Sequence, residues 1–244
     1  MAVSFDLFGT LVAVDRPADP ATAVASELEK RGVAVPGDWA ERYARPTIDA
    51  PEGAEVPLPA HVGRALSSAG VEWRETGAGN VVRRAVVAAF DPDVETRIGA
   101  RRAVEAAREA GSVAVCSNCA VPELVGRTLA RSTLERDDFD AVVTSVGCGW
   151  RKPSPHIFET TARRLGVDVT DLVHVGDDPR TDGGVDAAGG TSIVLEETPL
   201  ESVPDRLELV LENSSATAPT GGEPACDGDS SDSGSNDDSS DHVK

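Results

Sequence analysis

Short runs of mostly apolar residues alternate with longer amphipathic stretches over much of the chain. Runs of this length, bounded by Gly, Pro or polar clusters, are typical of strands buried in a parallel sheet. The predicted strands are Val3–Leu7, Val113–Cys116, Phe139–Thr144, Leu172–Val175 and Ser192–Leu195. The helices predicted between and before the later strands are Ala100–Ala110, Pro122–Ser132, Pro155–Leu165 and Gly184–Ala188. This alternation predicts an α/β fold with a doubly wound, Rossmann-like parallel sheet covered on both faces.

Residues 17–92 follow a different pattern, in which helical segments end at Gly or Pro and no strand-like alternation occurs. The predicted helices are Ala21–Arg31, Asp38–Arg45, Ala60–Ala69 and Asn80–Phe90. Because this block interrupts the chain after the first strand, it predicts a helical bundle inserted into the α/β core. The core then consists of residues 1–16 and 93–212.

The last part of the chain, residues 213–244, is rich in Ser, Asp, Gly and Thr and has almost no apolar residues. Such a segment cannot bury enough surface to offset the entropy of ordering it. We therefore predict a disordered acidic tail.

Acidic residues outnumber basic ones by 42 to 23, which gives a formal net charge of −19. Nucleic acid is excluded as an expected partner, because binding phosphate backbones needs a basic patch. No apolar run approaches the roughly 20 residues of a membrane span, and no signal peptide is recognised. The expected protein is cytoplasmic and acts on a small molecule, and nothing in the sequence indicates its oligomeric state.

The acidic excess extends through residues 1–212 and is typical of proteins from a salt-loving cytoplasm. Salt ions screen the mutual repulsion of such a surface. We expect the free energy of unfolding to be small in dilute buffer and to rise at molar potassium chloride. Urea unfolding at both salt concentrations checks this, and equal stabilities would contradict the halophilic interpretation.

Polar residues follow four of the predicted strands. Asp6 comes at the end of the first strand, Ser117 and Asn118 follow the second, and Lys152 lies in the loop after the third. The segment 176–182, Gly-Asp-Asp-Pro-Arg-Thr-Asp, follows the fourth. Since reactive groups collect at the carboxyl ends of parallel strands, these residues are expected to share one site.

Several carboxylates in one cleft repel one another and therefore need a cation. Ligation by oxygen atoms alone suits Mg²⁺, which keeps waters that a substrate can displace. A carboxylate beside such an ion can attack phosphorus and form an aspartyl phosphate. The ammonium of Lys152 and the hydroxyl of Ser117 are suited to bind the phosphoryl oxygens.

The polar segments resemble the haloacid dehalogenase (HAD) superfamily, in family order over residues 1–200. Its first motif, DxDxT, matches residues 6–10 (Asp-Leu-Phe-Gly-Thr) except at the third position. A strand ending in Ser matches at Ser117, a Lys before Pro matches at Lys152, and the fourth motif, GDxxxxD, matches residues 176–182. The resemblance implies a HAD core and makes the helical block at 17–92 the cap that shapes specificity.

Carried over to this chain, the resemblance assigns roles to matching residues. Asp6 is the expected nucleophile, and Ser117 and Lys152 are expected to bind the phosphoryl group, with Asn118 beside them. The expected Mg²⁺ ligands are Asp6, the backbone carbonyl of Phe8 and Asp177. Asp182 is expected either to bind the ion through a water molecule or to hold Lys152. Asp178 is either part of this acid cluster or only surface charge.

Phe8 occupies the position at which phosphatases of the family carry an acid–base Asp. General acid–base help is worth about 10² to 10⁴ in rate, so its loss matters. A Mg²⁺-dependent phosphatase for a small phosphorylated metabolite remains the first expectation. The alternatives are a 2-haloacid dehalogenase, which also has an aromatic residue here, and a silent binding protein of the same fold.

Overall fold

The computed structural model describes most of the chain outside the carboxyl-terminal tail. The described residues are 1–46, 48–73, 81–91, 93–195 and 199–216. Their strands are β1 (Ala2–Phe5), β2 (Val12–Val14), β3 (Val94–Thr96), β4 (Ser112–Ser117), β5 (Ala141–Thr144), β6 (Leu172–Gly176) and β7 (Thr191–Val194). Their helices are α1 (Pro20–Glu29), α2 (Trp39–Ala44), α3 (Leu58–Ser68), α4 (Val81–Ala89), α5 (Ala100–Ala110), α6 (Leu124–Leu129), α7 (Ser145–Cys148), α8 (Pro155–Leu165), α9 (Gly184–Ala187) and α10 (Val203–Ala216).

Five of the strands form one parallel sheet with the order β5-β4-β1-β6-β7. The first strand of the chain, β1, is therefore central, and all four of its residues are buried. The chain adds β4 and β5 on one side of β1, and β6 and β7 on the other. A sheet that grows in both directions from β1 has a crevice beside the carboxyl end of that strand. The predicted doubly wound, Rossmann-like α/β fold is confirmed.

The helices that cover the sheet are amphipathic. In α5 the buried positions are Ala100, Ala103, Val104 and Ala107, which follow the spacing of one helix face. In α8, Pro155 occupies the first turn, where a missing N–H costs nothing, and Gly166 ends the helix in a left-handed conformation. These boundaries agree with the sequence prediction, because Pro and Gly mark them directly.

A second, two-stranded sheet pairs β2 with β3 in antiparallel register. Neither strand is predicted from the sequence, since each has only three residues and its neighbours across the ribbon are about 80 positions away along the chain. Along the chain, β2 precedes and β3 follows the four helices α1 to α4, and these helices pack on one another. Their predicted role as a cap over the site remains a prediction.

The carboxyl-terminal end corrects one predicted boundary. Helix α10 continues to Ala216, four residues into the segment predicted to be disordered, and the rest of that segment lies outside the described residues. Helix α10 itself, which packs against α5, is not predicted from the sequence either. No helix in the described ranges has the length and apolar character that crossing a bilayer requires.

Candidate active site

Three neighbouring strands deliver polar residues to one edge of the sheet. Asp6 follows β1 directly, Ser117 is the last residue of β4, and Asp177 follows β6. The backbone N–H of Asp6 donates to the carbonyl of Val175 at 2.9 Å, which extends the β1–β6 pairing up to the site. Since parallel strands end together, the predicted convergence of these residues is found at the sheet's carboxyl edge.

Lys152 reaches this edge from the loop after β5 and lies between two carboxylates. Its Nζ is 3.0 Å from Oδ1 of Asp6 and 2.5 Å from Oδ1 of Asp182. Both Lys152 and Asp182 are almost fully buried, with exposed fractions of 2% and 1%. A buried ammonium is tolerated when it is paired and hydrogen-bonded in this way. The three side chains therefore form one buried ion cluster.

The charges in this cluster hold one another ionised. Burial alone would lower the pKa of Lys152, but the negative charges of Asp6 and Asp182 outweigh it and raise that pKa. Burial alone would raise the pKa of Asp182, but the hydrogen bond from His174 and the charge of Lys152 keep it well below its usual value. Lys152 and Asp182 are thus an ion pair at neutral pH.

Asp177 has a different environment, because no cation faces it among the residues that the structure describes. Its Oδ1 accepts a hydrogen bond from the hydroxyl of Thr10 at 2.8 Å. Burial raises the pKa of Asp177, and the nearby charges of Asp6 and Asp182 raise it further. Gly9 makes room for this carboxylate, since a Cβ at Gly9 would lie only 2.5 Å from its Oδ2. The Gly9-Thr10 pair therefore positions Asp177.

Ser117 carries a buried hydroxyl without a hydrogen-bond partner in the described part of the chain. An unsatisfied buried hydroxyl costs free energy, so its position at a strand end next to the ion cluster indicates a ligand.

Asn118 has a structural task. Its Oδ1 accepts from the backbone N–H of Lys152 at 2.7 Å, and its Nδ2 donates to the Lys152 carbonyl at 3.0 Å. The amide thereby fixes the loop that carries the ammonium. Substrate binding by Asn118 stays a prediction.

His174 is a site residue that the sequence analysis missed. It is fully buried in β6, where burial and the charge of Lys152 lower its pKa and keep it neutral. Its Nε2 lies 3.1 Å from Oδ1 of Asp182, which can only accept, so Nε2 carries the proton. Nδ1 then accepts from the Ser4 hydroxyl at 2.8 Å. The sequence signal that could have revealed this contact is a polar residue inside each of two apolar strands, Ser4 in β1 and His174 in β6.

Three carboxylates, those of Asp6, Asp177 and Asp182, have oxygen atoms within 4.8 Å of one another. When all three are ionised, the single ammonium of Lys152 leaves two negative charges without a counter-charge. Carboxylate oxygens are the ligands that hard divalent cations prefer. The donor set and its charge therefore fit one divalent ion.

Two predicted residues remain, Asp178 and Phe8. Asp178 is bound to the guanidinium of Arg180 at 3.1 Å, while its backbone N–H donates to Oδ2 of Asp182 at 2.9 Å. Its carboxylate therefore faces away from the ion cluster, and only its backbone supports the site. Phe8 is partly buried against the core, and the role of its carbonyl remains a prediction.

Known proteins share both the sequence pattern and the fold of this chain. A family model described as haloacid dehalogenase-like hydrolase matches residues 1–185. No protein with a curated description matches the sequence.

Solved structures with the same fold include enzymes of two kinds. A 2-haloacid dehalogenase from Pseudomonas syringae pv. tomato has a TM-score of 0.64 at 22% identity, with 86% of this chain and 98% of that chain covered. CbbY from Rhodobacter sphaeroides, in complex with phosphate, has a TM-score of 0.52 at 20% identity, with coverage of 79% and 84%. A HAD phosphatase from Thermococcus onnurineus has a TM-score of 0.50 at 18% identity, with coverage of 84% and 97%. The family match over residues 1–185 and the shared fold lead to one conclusion: the chain belongs to the haloacid dehalogenase-like hydrolases.

Proposed function

We propose that this hydrolase is a Mg²⁺-dependent phosphatase that acts on a small phosphorylated metabolite through a phosphoryl group bound to Asp6. The observation that carries the proposal is the charge of the site, in which three carboxylates face one ammonium. A divalent cation balances this charge, and a phosphoryl group then finds positive partners at the sheet edge.

The proposed ion would be held by Asp6, Asp177 and the backbone carbonyl of Phe8. Asp182 fits a direct ligand less well, because Oδ1 is bound to Lys152 and His174 and Oδ2 accepts from the Asp178 N–H. We therefore assign to Asp182 the task of holding Lys152, with a water as its only link to the ion. When bound, Mg²⁺ supplies positive charge to the phosphoryl oxygens and lowers repulsion between them and Asp6.

The chain's own residues account for the steps around phosphorus. A carboxylate oxygen of Asp6 attacks phosphorus, so that an O–P bond forms while the bond to the leaving oxygen breaks. Lys152 and the Ser117 hydroxyl bind the equatorial oxygens, where negative charge collects. The leaving oxygen takes its proton from solvent, since Phe8 has none to give. Water then attacks phosphorus, releasing phosphate and the free Asp6 carboxylate.

A dehalogenase is the second candidate, and Phe8 is the observation that favours it. Displacing halide from carbon by Asp6 requires neither a leaving-group proton nor a metal ion, and Lys152 at 3.0 Å could orient the carboxylate. The half-buried Asp177 has no task in that reaction. Without a cation, the excess negative charge would also repel an anionic 2-haloacid.

Activity assays with and without a chelator separate the two candidates. Purified protein is given an aryl phosphate and 2-chloropropionate, at molar salt. The proposal expects phosphate release that the chelator abolishes and added Mg²⁺ restores. Chloride release that survives the chelator would replace it by the dehalogenase, and the absence of both products would indicate a silent binding protein.

Phe8 predicts a kinetic signature. With a good leaving group, phosphorylation of Asp6 needs no acid, whereas hydrolysis of the intermediate lacks its base. We expect a burst of released phenol followed by a slow steady state. Phe8→Asp should remove the burst and raise the steady-state rate by about 10².

Rapid-quench kinetics measure both phases. Phe8→Leu is the matched control, because it also lacks a carboxylate and should keep the burst. Unfolding of Phe8→Asp is checked separately, since Phe8 is partly buried against the core. A wild type without a burst, together with a folded Phe8→Asp variant that is no faster, would contradict the missing-base argument.

A further inference from the structure

A cavity of about 200 Å³ is lined by residues of the helical segment and by loop residues that lie close in sequence to Asp6 and Ser117. Phe8, two residues after Asp6, and Asn118, directly after Ser117, form part of its wall. Leu58, which begins α3, Phe90 and Leu124 line it with apolar surface. An apolar cavity of about 150 Å³ is large enough to bind benzene, so a volume of this size suits a small organic body.

Arg16 is the only basic residue among the described residues that line this cavity. Its guanidinium carbon lies 5.9 Å from the centre of the Phe8 ring. A cation–π contact of this kind is made with the ring face and leaves the guanidinium N–H groups that point away from the ring available. Within the described chain Arg16 forms no ion pair, although Asp15 also lines the cavity.

The free edge of a guanidinium is a fork of parallel N–H donors, which matches the two oxygens of a carboxylate. Phe8 and Asn118 in the cavity wall are two residues and one residue away along the chain from Asp6 and Ser117, so one ligand is able to contact both Arg16 and the phosphoryl site. The apolar lining of the cavity favours a ligand that has carbon atoms between its phosphoryl group and its carboxylate.

We propose that Arg16 and this cavity select phosphate monoesters whose leaving group has a small, partly apolar body and a carboxylate. The phosphoryl end lies at Asp6, and the carboxylate accepts hydrogen bonds from Arg16. This inference rests on the proposed phosphatase function and adds the substrate class. Arg16 is exposed and Asp15 is near, so its contribution is modest, about tenfold in KM.

A pair of substrates tests the inference. Phenyl phosphate and 3-carboxyphenyl phosphate have the same ring, and only the second carries the carboxylate. We expect Arg16→Gln to raise the KM for 3-carboxyphenyl phosphate about ten times more than the KM for phenyl phosphate. Arg64→Gln, which removes an exposed charge from α3, is the matched control for net charge and should not discriminate between the substrates.

The outcomes separate this inference from the function on which it rests. If Arg16→Gln raises the KM for both substrates by the same factor, Arg16 acts on the leaving oxygen or on the fold. The proposed selection by the carboxylate is then wrong. If the wild type hydrolyses neither compound, the phosphatase proposal fails. Calorimetric titration with 3-carboxyphenyl phosphonate then decides about Arg16, since the inference requires weaker binding by Arg16→Gln, and equal binding would overturn it.

Discussion

Replacing Asp6 by Asn is expected to abolish aryl phosphate hydrolysis while leaving the fold intact. The amide has nearly the size and shape of the carboxylate, but it cannot attack phosphorus and contributes no charge to a metal ion. Loss of a covalent nucleophile lowers kcat by about 10⁴ or more. Initial rates at saturating Mg²⁺ measure this effect, and circular dichroism checks the fold.

Asp178→Asn is the matched control for Asp6→Asn. It removes a carboxylate from the loop after β6, at the same edge of the sheet as Asp6, but that carboxylate is bound to Arg180 at the surface and faces away from the cluster. Its backbone N–H, which donates to Asp182, is unchanged. We expect kcat to stay within about twofold, since isolated surface pairs contribute little. Substantial phosphatase activity in Asp6→Asn would remove Asp6 from the role of nucleophile.

Replacing Lys152 by Met should have the largest effect on stability. Met has a similar length and no charge, so Asp6 and Asp182 would face each other inside the protein without their cation. Removing one partner of a buried ion pair costs about 3–5 kcal/mol. Urea unfolding at molar salt measures the change in the free energy of unfolding.

The effect of Lys152→Met depends on pH in a direction that follows from Asp182. In the wild type the lowered pKa of Asp182 stabilises the fold above the unfolded value of about 3.9, and this stabilisation is lost only as the pH falls further. Without Lys152, the hydrogen bond from His174 still opposes the effect of burial but the charge of Lys152 no longer does, so the pKa of Asp182 rises relative to the wild type. The ionised carboxylate of Asp182 then destabilises the variant at pH 8, and this destabilisation decreases as the carboxylate is protonated at lower pH. The difference in the free energy of unfolding between the wild type and Lys152→Met should therefore decrease toward pH 5.

Lys30→Met is the matched control for Lys152→Met. Lys30 pairs with Glu27 on the surface of the protein, where its side chain is 64% exposed. The same substitution there should change the free energy of unfolding by at most about 1 kcal/mol, without the pH dependence. Equal effects of the two substitutions would contradict the ion cluster.

The parallel sheet could be predicted because its strands are apolar and its helices end at Gly or Pro. The ends of α5 and α8 lie next to Gly111 and Gly166, where the chain changes direction. The β2–β3 ribbon could not be predicted in this way. Its strands are short and exposed in part, and their pairing is a contact between distant parts of the chain.

The candidate site was predictable where residue type and position both carry information. Asp6, Lys152 and Asp177 stand at strand ends or in the loop after a strand, which the sheet brings together. The links between them were not predictable. His174 acts inside a strand, and Asn118 holds the backbone of Lys152 through its side-chain amide, so both roles depend on geometry across strands.

The central claim is that Asp6 forms a covalent bond to phosphorus. Acid quenching of the wild type within the burst, followed by digestion and mass spectrometry, measures this directly. We expect the peptide that contains Asp6 to gain the mass of one phosphoryl group, and the same peptide from Asp6→Asn to gain nothing. A burst of phenol with an unmodified Asp6 peptide, or with the phosphoryl group on another residue, would contradict the account.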